Sequence, residues 1–344
     1  MLLGKKLLMI ERNPMLFVFP MITSGGRRQP FADYYYTRDG LSLTHSTFPA
    51  SREWMSPVFG KGKYVTASSN GSAMEIYISP NAKTWTKTAT MGPADTLGKL
   101  VFSGEAFYFF AQSNSVVYKS TDTVTWTAVG TVPTIHTSIY YNSCGIAYYD
   151  GTFVVGSYNT QTSKIDLYYS NNDCSTWTAA SINYTGPSQM RTSVRGIVAV
   201  EDGFALCVSG SASGGSGATY TSKFFYSSNG ASWSESTFSK TGDYSAWGFV
   251  GNNSTAAFVD TVSTGYKSND GNSWTTFPLS VSVMNNAGVT MNRRYFCVGA
   301  FNNGVFSVCS SNLQDGTVET SSTSMVSPTT SSYTYYYRFS AGAF

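Results

Sequence analysis

The chain has few charged residues. Of its 344 residues, 22 are Lys or Arg and 19 are Asp or Glu, so charged residues make up 12% and the formal net charge is +3. That share is about half of the usual value for a soluble domain, so surface polarity must come from Ser, Thr, Asn, Gly and tyrosine hydroxyls. No stripe of Lys and Arg could neutralise phosphates, which argues against nucleic acid as a partner.

Residues that bind metals are also scarce. The five cysteines are scattered without the spacing of a metal centre, and only Cys297 and Cys309 could face each other across one hairpin. The two histidines, His45 and His136, are far apart in the sequence. The sequence therefore predicts free, packed thiols, no metal site and no cofactor.

Long apolar runs are missing as well. Lys5, Lys6, Glu11 and Arg12 interrupt the apolar N-terminal sequence, whereas a secretory signal has an unbroken apolar core. No segment reaches the length of a membrane span. We expect residues 1–30 to form an arm and the first strand or strands, docked on the protein itself or on a neighbouring subunit.

What the chain does contain is a seven-fold repeat with a period near 42 residues. Each copy has a tryptophan or an equivalent residue, and these positions are 43, 85, 126, 177, 233, 274 and 316. The repeats lie near residues 31–50, 51–92, 93–135, 136–186, 187–240, 241–280 and 281–322. A period of this size, built from short strands and turns, is typical of a propeller blade rather than a helical solenoid.

The repeated motif has the chemistry of a hairpin turn. A strand end leads into Ser-x-Asp/Asn, often followed by Gly, and then into Thr/Ser-Trp. Asp and Asn side chains bind the backbone two residues further on, and Gly permits a positive φ. The Asp or Asn of each copy and the tryptophans are Asp39, Asn81, Trp85, Asp122, Trp126, Asp173, Trp177, Asn229, Trp233, Asp270 and Trp274, while the seventh copy, residues 309–316, is degenerate.

These residues resemble the Asp-box, S-x-D-x-G-x-T-W, of sialidase-like and related propellers. In that family the motif is structural and lies at the blade periphery, which implies that the Asp and Trp residues are scaffold. Upstream of each motif, two apolar strands joined by a tight turn complete four strands per repeat. We therefore predict an all-β fold, a seven-bladed β-propeller of four-stranded antiparallel blades over residues 31–344, with almost no helix.

The two ends of the chain are expected to close the ring. Residues 333–339, YTYYYRF, follow a Ser/Thr-rich connector and have the composition of a strand. A circular array must join its last sheet to its first without leaving open strand edges. The C-terminal strand is therefore predicted to pair with N-terminal strands in the first blade.

The Asp-box also suggests a glycosidase. The sialidase resemblance would imply an arginine trio for the substrate carboxylate, a tyrosine nucleophile with a glutamate partner, and an aspartate acid/base. The early Arg-Ile-Pro motif of that family is missing, its members are six-bladed as a rule, and the carboxylates here are sparse and isolated. The sequence therefore favours a protein that is not an enzyme, with no catalytic residue.

Candidate binding residues follow from the way a propeller brings its loops together. The segments that lead into the innermost strands converge at the mouth of the central channel, where aromatic rings with Arg and Asn donors suit sugars. These candidates are Arg52, Trp54, Tyr141, Arg191, Arg195, Trp247 and Asn286; the alternative is that they close the channel by packing. The longest loops, 158–165, 184–195 and 209–223, are further places where binding is expected.

The hydroxyl-rich β-repeat composition resembles that of bacteriophage virion proteins, particularly tail, fibre and decoration components. That resemblance implies a non-enzymatic, multi-copy protein of the virion, assembled in the host cytoplasm. Its partners would be other virion proteins and, in host attachment, surface glycans. The alternatives are a lectin-like propeller outside the cell or at its surface, a glycosidase, and a cellular assembly factor.

Overall fold

The computed structural model consists of strands, turns and loops. It describes residues 16–18, 21–24, 29–30, 33–36, 44–50, 52, 54–55, 57–93, 98–111, 114–133, 144–159, 162–184, 192–211, 219–243, 247–260, 264–279, 288–291, 295–302, 305–313, 317–324, 334–337 and 340–342. None of these residues is helical, so the prediction of an all-β chain is confirmed for them.

The first strands of the chain form no complete sheet among themselves. They are β1 (Leu16–Val18), β2 (Met21–Ser24), β3 (Gln29–Pro30), β4 (Asp33–Tyr36) and β5 (Thr44–Thr47). Within this group β2 pairs with β3, and β4 pairs with β5.

Six sheets follow in the described part of the chain: five are antiparallel and four-stranded, and the remaining one has four antiparallel strands and a fifth, short strand. Sheet one holds β6 (Val58–Gly60), β7 (Lys63–Ser69), β8 (Ala73–Ser79) and β9 (Thr86–Pro93); sheet two holds β10 (Lys99–Phe102), β11 (Phe107–Phe110), β12 (Val116–Ser120) and β13 (Thr127–Thr131). Sheet three holds β14 (Cys144–Tyr149), β15 (Thr152–Asn159), β16 (Lys164–Ser170) and β17 (Thr178–Ala179). In each sheet the strands are neighbours in the order in which they occur in the chain, as expected of hairpins joined end to end.

Sheets four to six have the same order. Sheet four holds β19 (Ser193–Val200), β20 (Gly203–Ser211), β21 (Thr219–Ser227) and β22 (Ser232–Asp243), and the short β18 (Ser181–Ile182) joins β22 in parallel. Sheet five holds β23 (Trp247–Gly251), β24 (Ala256–Val259), β25 (Thr264–Ser268) and β26 (Thr275–Pro278); sheet six holds β27 (Gly288–Met291), β28 (Tyr295–Asn302), β29 (Val305–Asn312) and β30 (Val318–Ser324).

Both chain ends take part in shared sheets. Within residues 333–339, predicted as a strand, the structure describes β31 (Thr334–Tyr337), and a further strand, β32 (Ser340–Gly342), follows this range. Strand β31 pairs with β2, and β32 pairs with β1, both antiparallel. A C-terminal strand thus lies beside an N-terminal strand at two places in the structure.

The first strand of each sheet contacts the first strand of the next sheet along the chain. Strand β6 lies against β10, β10 against β14, β14 against β19, β19 against β23 and β23 against β27; β27 then contacts β32, which contacts β6. Glycines allow this close approach. A Cβ atom on Gly145 would come within 2.5 Å of Ile197 in the next sheet, and one on Gly60 within 2.6 Å of Phe102.

The second strands are buried on both faces. Every residue of β11, β20 and β24 is buried. Between sheets three and four, Val154 packs with Leu206, Phe225 and Trp233 in one apolar cluster. Each large side chain buried in this way contributes about 2 kcal/mol relative to an exposed position, so packing between neighbouring sheets stabilises both of them.

The repeated motif forms the turn between the third and fourth strands, which we call the box turn. In four of these turns the Asp or Asn Oδ1 accepts hydrogen bonds from the backbone N–H groups two and three residues further on; these residues are Asn81, Asp122, Asn229 and Asp270. In the Asp270 turn the N···O distances are 2.8 and 2.7 Å, and Ser268 donates to the same carboxylate at 2.9 Å. The N–H groups of Thr125 and Val124 hold the pKa of Asp122 at about 2.

The third box turn corrects the sequence alignment. Asn172, and not the predicted Asp173, accepts from Ser170 Oγ at 2.9 Å and from the Thr176 N–H at 3.1 Å. The reason is an insertion: Trp177 comes seven residues after Ser170, whereas in the preceding turn Trp126 comes six after Ser120. The extra length places Asp173 and Cys174 at φ values of 59° and 65°, in the left-handed region.

Asp173 then serves a different purpose. Its carboxylate accepts from Tyr108 Oη at 2.6 Å and from Lys119 Nζ at 2.7 Å, both in sheet two. The hydrogen bond from Lys119 is the main cause that lowers the pKa of Asp173, and the hydrogen bond from Tyr108 adds to it. The displaced aspartate therefore links two neighbouring sheets instead of capping its own turn.

The register of sheet six corrects the prediction that two cysteines could face each other. Cys309 pairs with Val298 and Cys297 with Ser310, so the two cysteines are not cross-strand partners. Cys174 and Cys207 are buried free thiols. Burial raises the pKa of Cys207 to about 12, so this thiol is protonated at neutral pH.

Replacing the acceptor of a box turn should destabilise the protein. We expect Asp270→Ala to lower the free energy of unfolding by about 1 kcal/mol, because two backbone N–H groups lose their acceptor. Asp270→Asn is the matched control and should lose much less, since Asn already occupies this position in other turns. Urea unfolding monitored by circular dichroism measures both; equal losses for Ala and Asn would contradict the role of the side-chain oxygen.

Candidate functional site at the loop end of the sheets

Antiparallel order gives every sheet two different ends. The box turns and the turns between first and second strands share one end, which we call the box end. The connections into the first strands and the turns between second and third strands share the other, the loop end. Four of the predicted binding residues lie towards the loop end, because they precede a first strand or lie near its beginning: Arg52, Trp54, Arg195 and Trp247.

Arg52 belongs to a hydrogen-bonded group around Glu75. The Glu75 side chain is 8% exposed and accepts from Lys87 Nζ at 2.8 Å, Tyr77 Oη at 2.8 Å and Asn70 Nδ2 at 3.2 Å, as well as from Arg52 Nη1. Lys87 is the main cause that lowers the pKa of Glu75 to about 2; burial opposes it, and Tyr77, Arg52 and Asn70 add to it.

This arrangement decides what Arg52 and Glu75 can do. A general acid needs a carboxyl group whose pKa is raised, whereas Glu75 is ionised and both of its oxygens are bonded. The guanidinium of Arg52 faces that carboxylate, so its charge is already compensated. The geometry therefore fixes the segment before β6 to sheet one, and it offers neither an acid nor an open anion site.

Trp54, another predicted binding residue, packs in the interior. It is 5% exposed, its indole N–H donates to the Ala50 carbonyl at 2.9 Å, and its ring stacks on Phe48 at 4.3 Å. Tyr77 meets the same ring edge-on at 4.8 Å. Of the two roles considered for Trp54, the structure gives it the packing role, within an aromatic cluster that also contains Tyr34, Tyr36, Phe59, Tyr64 and Trp85.

Arg195 lies at an irregularity of β19. The register with β20 shifts between Val194 and Gly196, so Arg195 is the extra residue of a β-bulge, a feature that redirects a side chain. The side chain is half-buried, and its charge opposes the effect of burial on the pKa of Cys207.

The remaining candidates are less defined. Trp247 lies in β23 opposite Val259, next to a second register shift. Tyr141, Arg191, Asn286 and the box residue Asp39 lie outside the described residues. Among the candidates that the structure describes, Arg52 and Trp54 are linked through Tyr77. Arg52 and Tyr77 both donate to Glu75, and the Tyr77 ring contacts Trp54.

Two polar groups between sheets were missed at the level of sequence. Between sheets four and five, Lys240 Nζ lies 3.0 Å from Asp260 Oδ2 and 2.7 Å from Tyr266 Oη. Between sheets three and four, Tyr158 and Tyr184 meet near the ion pair of Lys223 and Glu235. No sequence motif marks either group. The one signal in the sequence was for the second group, since Tyr158, Tyr184 and Lys223 are end residues of the three loops predicted to be long.

A cavity of about 420 Å³ lies at the box end. Its lining includes Glu201, Asp202, Lys267, Asp270 and Leu313, and Lys267 Nζ donates to the Leu313 carbonyl. Within the described ranges, no three His, Cys, Asp or Glu side chains are grouped so as to hold a metal ion. In the same ranges no helix is long and apolar enough to span a membrane.

The comparisons agree with this architecture. Residues 42–143 match the family described as the DUF6242 beta propeller domain. Apo AztD from Citrobacter koseri is similar in structure, with a TM-score of 0.54 at 8% identity over 96% of this chain and 100% of that chain. Virginiamycin B lyase from Staphylococcus aureus has a TM-score of 0.49 at 11% identity over 77% of this chain and 84% of that chain. No curated protein matches the sequence.

The family match and the likeness to AztD concern the fold. The chain contains a β-propeller domain, built from antiparallel four-stranded sheets. A propeller is a scaffold on which binding or structural roles are common, and the chemistry of the site must decide between them.

Glu75 should make the stability of the protein depend on acidic pH. Its pKa in the folded protein, about 2, is below its ordinary value of 4.5. Its stabilising effect is therefore present above about pH 4.5 and is lost as the pH falls towards about 2. Glu75→Gln should lower the free energy of unfolding at neutral pH by about 1–3 kcal/mol and weaken the pH dependence in that window.

Urea unfolding at several pH values measures this effect. Glu105→Gln is the matched control, because Glu105 is exposed in a turn, and it should leave both the stability and the pH profile close to wild type. An unchanged acid profile in Glu75→Gln would show that Glu75 is not the group that titrates.

Proposed function

We propose that the chain is a closed seven-bladed ring that acts as a non-catalytic docking component of a bacteriophage virion. The cyclic contacts of the first strands support seven blades, because β32 lies between β27 and β6. In this arrangement β32, β1, β4 and β5 make up the seventh blade, supported by the pairs β1–β32 and β4–β5 and by the contact of β1 with β4.

The state of the carboxylates supports a binding role rather than catalysis. Glu75, Asp122, Asp173 and Asp270 all have pKa values below the ordinary value, and each is hydrogen-bonded within the scaffold. A retaining or inverting glycosidase instead needs one carboxyl group with a raised pKa opposite a second, ionised one. This internal use of the acidic side chains is the observation that carries the proposal.

The virion assignment depends on composition. The chain has 12% charged residues and 15% aromatic residues, 24 of them tyrosine. A rigid, hydroxyl-rich ring suits contact with other proteins through shape and hydrogen bonds, in several copies of an assembly. The N-terminal residues, which precede β1, are the segment we assign to docking on neighbouring subunits.

Removing residues 1–14 should abolish assembly without affecting folding. We expect the truncated chain to keep the circular dichroism spectrum and the Tm of the full chain, because these residues precede every strand that the structure describes. Mass spectrometry of purified phage particles, produced with either form of the gene, measures incorporation. The control is a chain of full length in which residues 1–14 are scrambled, and it should fail to assemble as well.

Normal incorporation of the truncated chain would exclude the docking role of this segment. The wider assignment has its own check: neighbouring genes should encode tail or capsid proteins. A neighbourhood of cellular assembly genes would exclude the virion.

Carbohydrate binding is the second candidate, and one feature favours it. The group between sheets three and four combines tyrosine rings, hydroxyls and a paired acid and base, which are the groups that bind sugar rings and sugar hydroxyls.

A further inference from the structure

Residues of several elements lie together at the junction between sheets three and four. Tyr158 lies near the end of β15 and pairs with Ile165 of β16, Tyr184 follows β18, and Lys223 lies in β21 and pairs with Val208 of β20. The loops predicted at 158–165 and 209–223 are therefore shorter than expected, because the strands on both sides extend into them. We call Tyr158, Tyr184, Thr192, Lys223 and Glu235 the tyrosine junction.

The aromatic part of this junction is ordered by packing. The Tyr158 and Tyr184 rings meet edge to face, with centroids 6.3 Å apart and an angle of 77°. Tyr184 also contacts Phe225, at 6.2 Å. Burial raises the pKa of Tyr184 to about 12, and the nearby Thr192 side chain partly opposes that rise.

The hydroxyl of Tyr158 is one of several buried polar groups that lack a partner among the described residues. The residue is 1% exposed, and its Oη has no hydrogen-bond partner among the residues that the structure describes. Buried hydroxyls in folded proteins are almost always paired. A donor and acceptor held in place without a partner is what a ligand hydroxyl would complete.

The charged part of the junction is neutral as a pair. Lys223 Nζ lies 2.8 Å from Glu235 Oε1, with side chains 22% and 36% exposed. Glu235 is also close enough to Tyr184 to raise the pKa of that residue. Because the lysine is matched by a carboxylate, the junction carries no net charge that would select a phosphate or another anion.

We propose that the tyrosine junction binds a carbohydrate. Sugar hydroxyls both donate and accept, as do Tyr158, Tyr184 and Thr192, while the C–H face of a sugar ring packs on aromatic rings. Lys223 and Glu235, which remain partly exposed, form the outer part of the site, and the Tyr158 hydroxyl forms its buried end. This inference rests on the carbohydrate-binding candidate above and is independent of the virion assignment.

The test compares two tyrosines in the full chain. The wild type, Tyr158→Phe and Tyr36→Phe are titrated with methyl glycosides of glucose, galactose, mannose and N-acetylglucosamine, and separately with bacterial lipopolysaccharide; calorimetry and the thermal shift report binding. Tyr36→Phe is the matched control, because the Tyr36 hydroxyl is also buried without a partner among the described residues, but lies in the aromatic cluster beside sheet one.

We expect at least one glycoside or the lipopolysaccharide to bind the wild type and Tyr36→Phe equally, and Tyr158→Phe about tenfold more weakly, the change expected of one lost hydrogen bond. Binding of glycosides alone would identify a free sugar as the ligand, and binding of lipopolysaccharide alone a surface glycan. Both Phe variants should be at least as stable as the wild type, since each removes a hydroxyl that lacks a partner.

Glu235→Gln is a second variant that leaves the core intact and should also weaken binding. The proposal is overturned if no probe binds the wild type. It is equally overturned if a probe binds while Tyr158→Phe and Glu235→Gln keep wild-type affinity; carbohydrate binding would then stand, at another site.

Discussion

The burial of each sheet on both faces is the constraint on which the rest of the structure depends. A strand such as β20, in which every residue is buried, cannot face water on either side, so each sheet requires two neighbours. Glycines in the first strands, such as Gly145 against Ile197, let these neighbours approach. The first and last sheets of an open row would each lack one neighbour. In the closed ring that we propose, the pairing of β1 with β32 supplies the joining blade.

The few charged side chains and the Asp and Asn residues of the repeated turn both stabilise the scaffold. Although the chain has few ionisable residues, two of its ion pairs join neighbouring sheets: Lys119 with Asp173 and Lys240 with Asp260. The box turns satisfy their backbone N–H groups with Asp or Asn oxygens at the box end of the sheets. Since these polar side chains are used for the scaffold, we propose that specific recognition depends on the parts that the repeats do not share, such as the tyrosine junction.

The repeat was predictable from sequence because its turns have local chemistry, with side-chain acceptors two or three residues from their donors. One copy was aligned wrongly because its turn contains one inserted residue. Counting back from Trp177 gives Asp173, whereas the side chain that accepts the turn's hydrogen bonds is Asn172. Trp54 shows the other limit. Its position before a first strand suggested a channel-mouth ligand, but Phe48 and Tyr77 cover its ring, and such contacts between distant residues have no signature in the spacing.

The sequence by itself determined the strand order within each sheet, the turn chemistry and the period of the repeat, because all three depend on residues close together in the chain. Tertiary structure alone decided which side chains meet between sheets. It placed Arg52 on Glu75, joined Asp173 to Lys119, and brought Tyr158 to Tyr184. These contacts depend on the register and twist with which separate sheets pack, and those are fixed by the fit of whole surfaces rather than by any short motif.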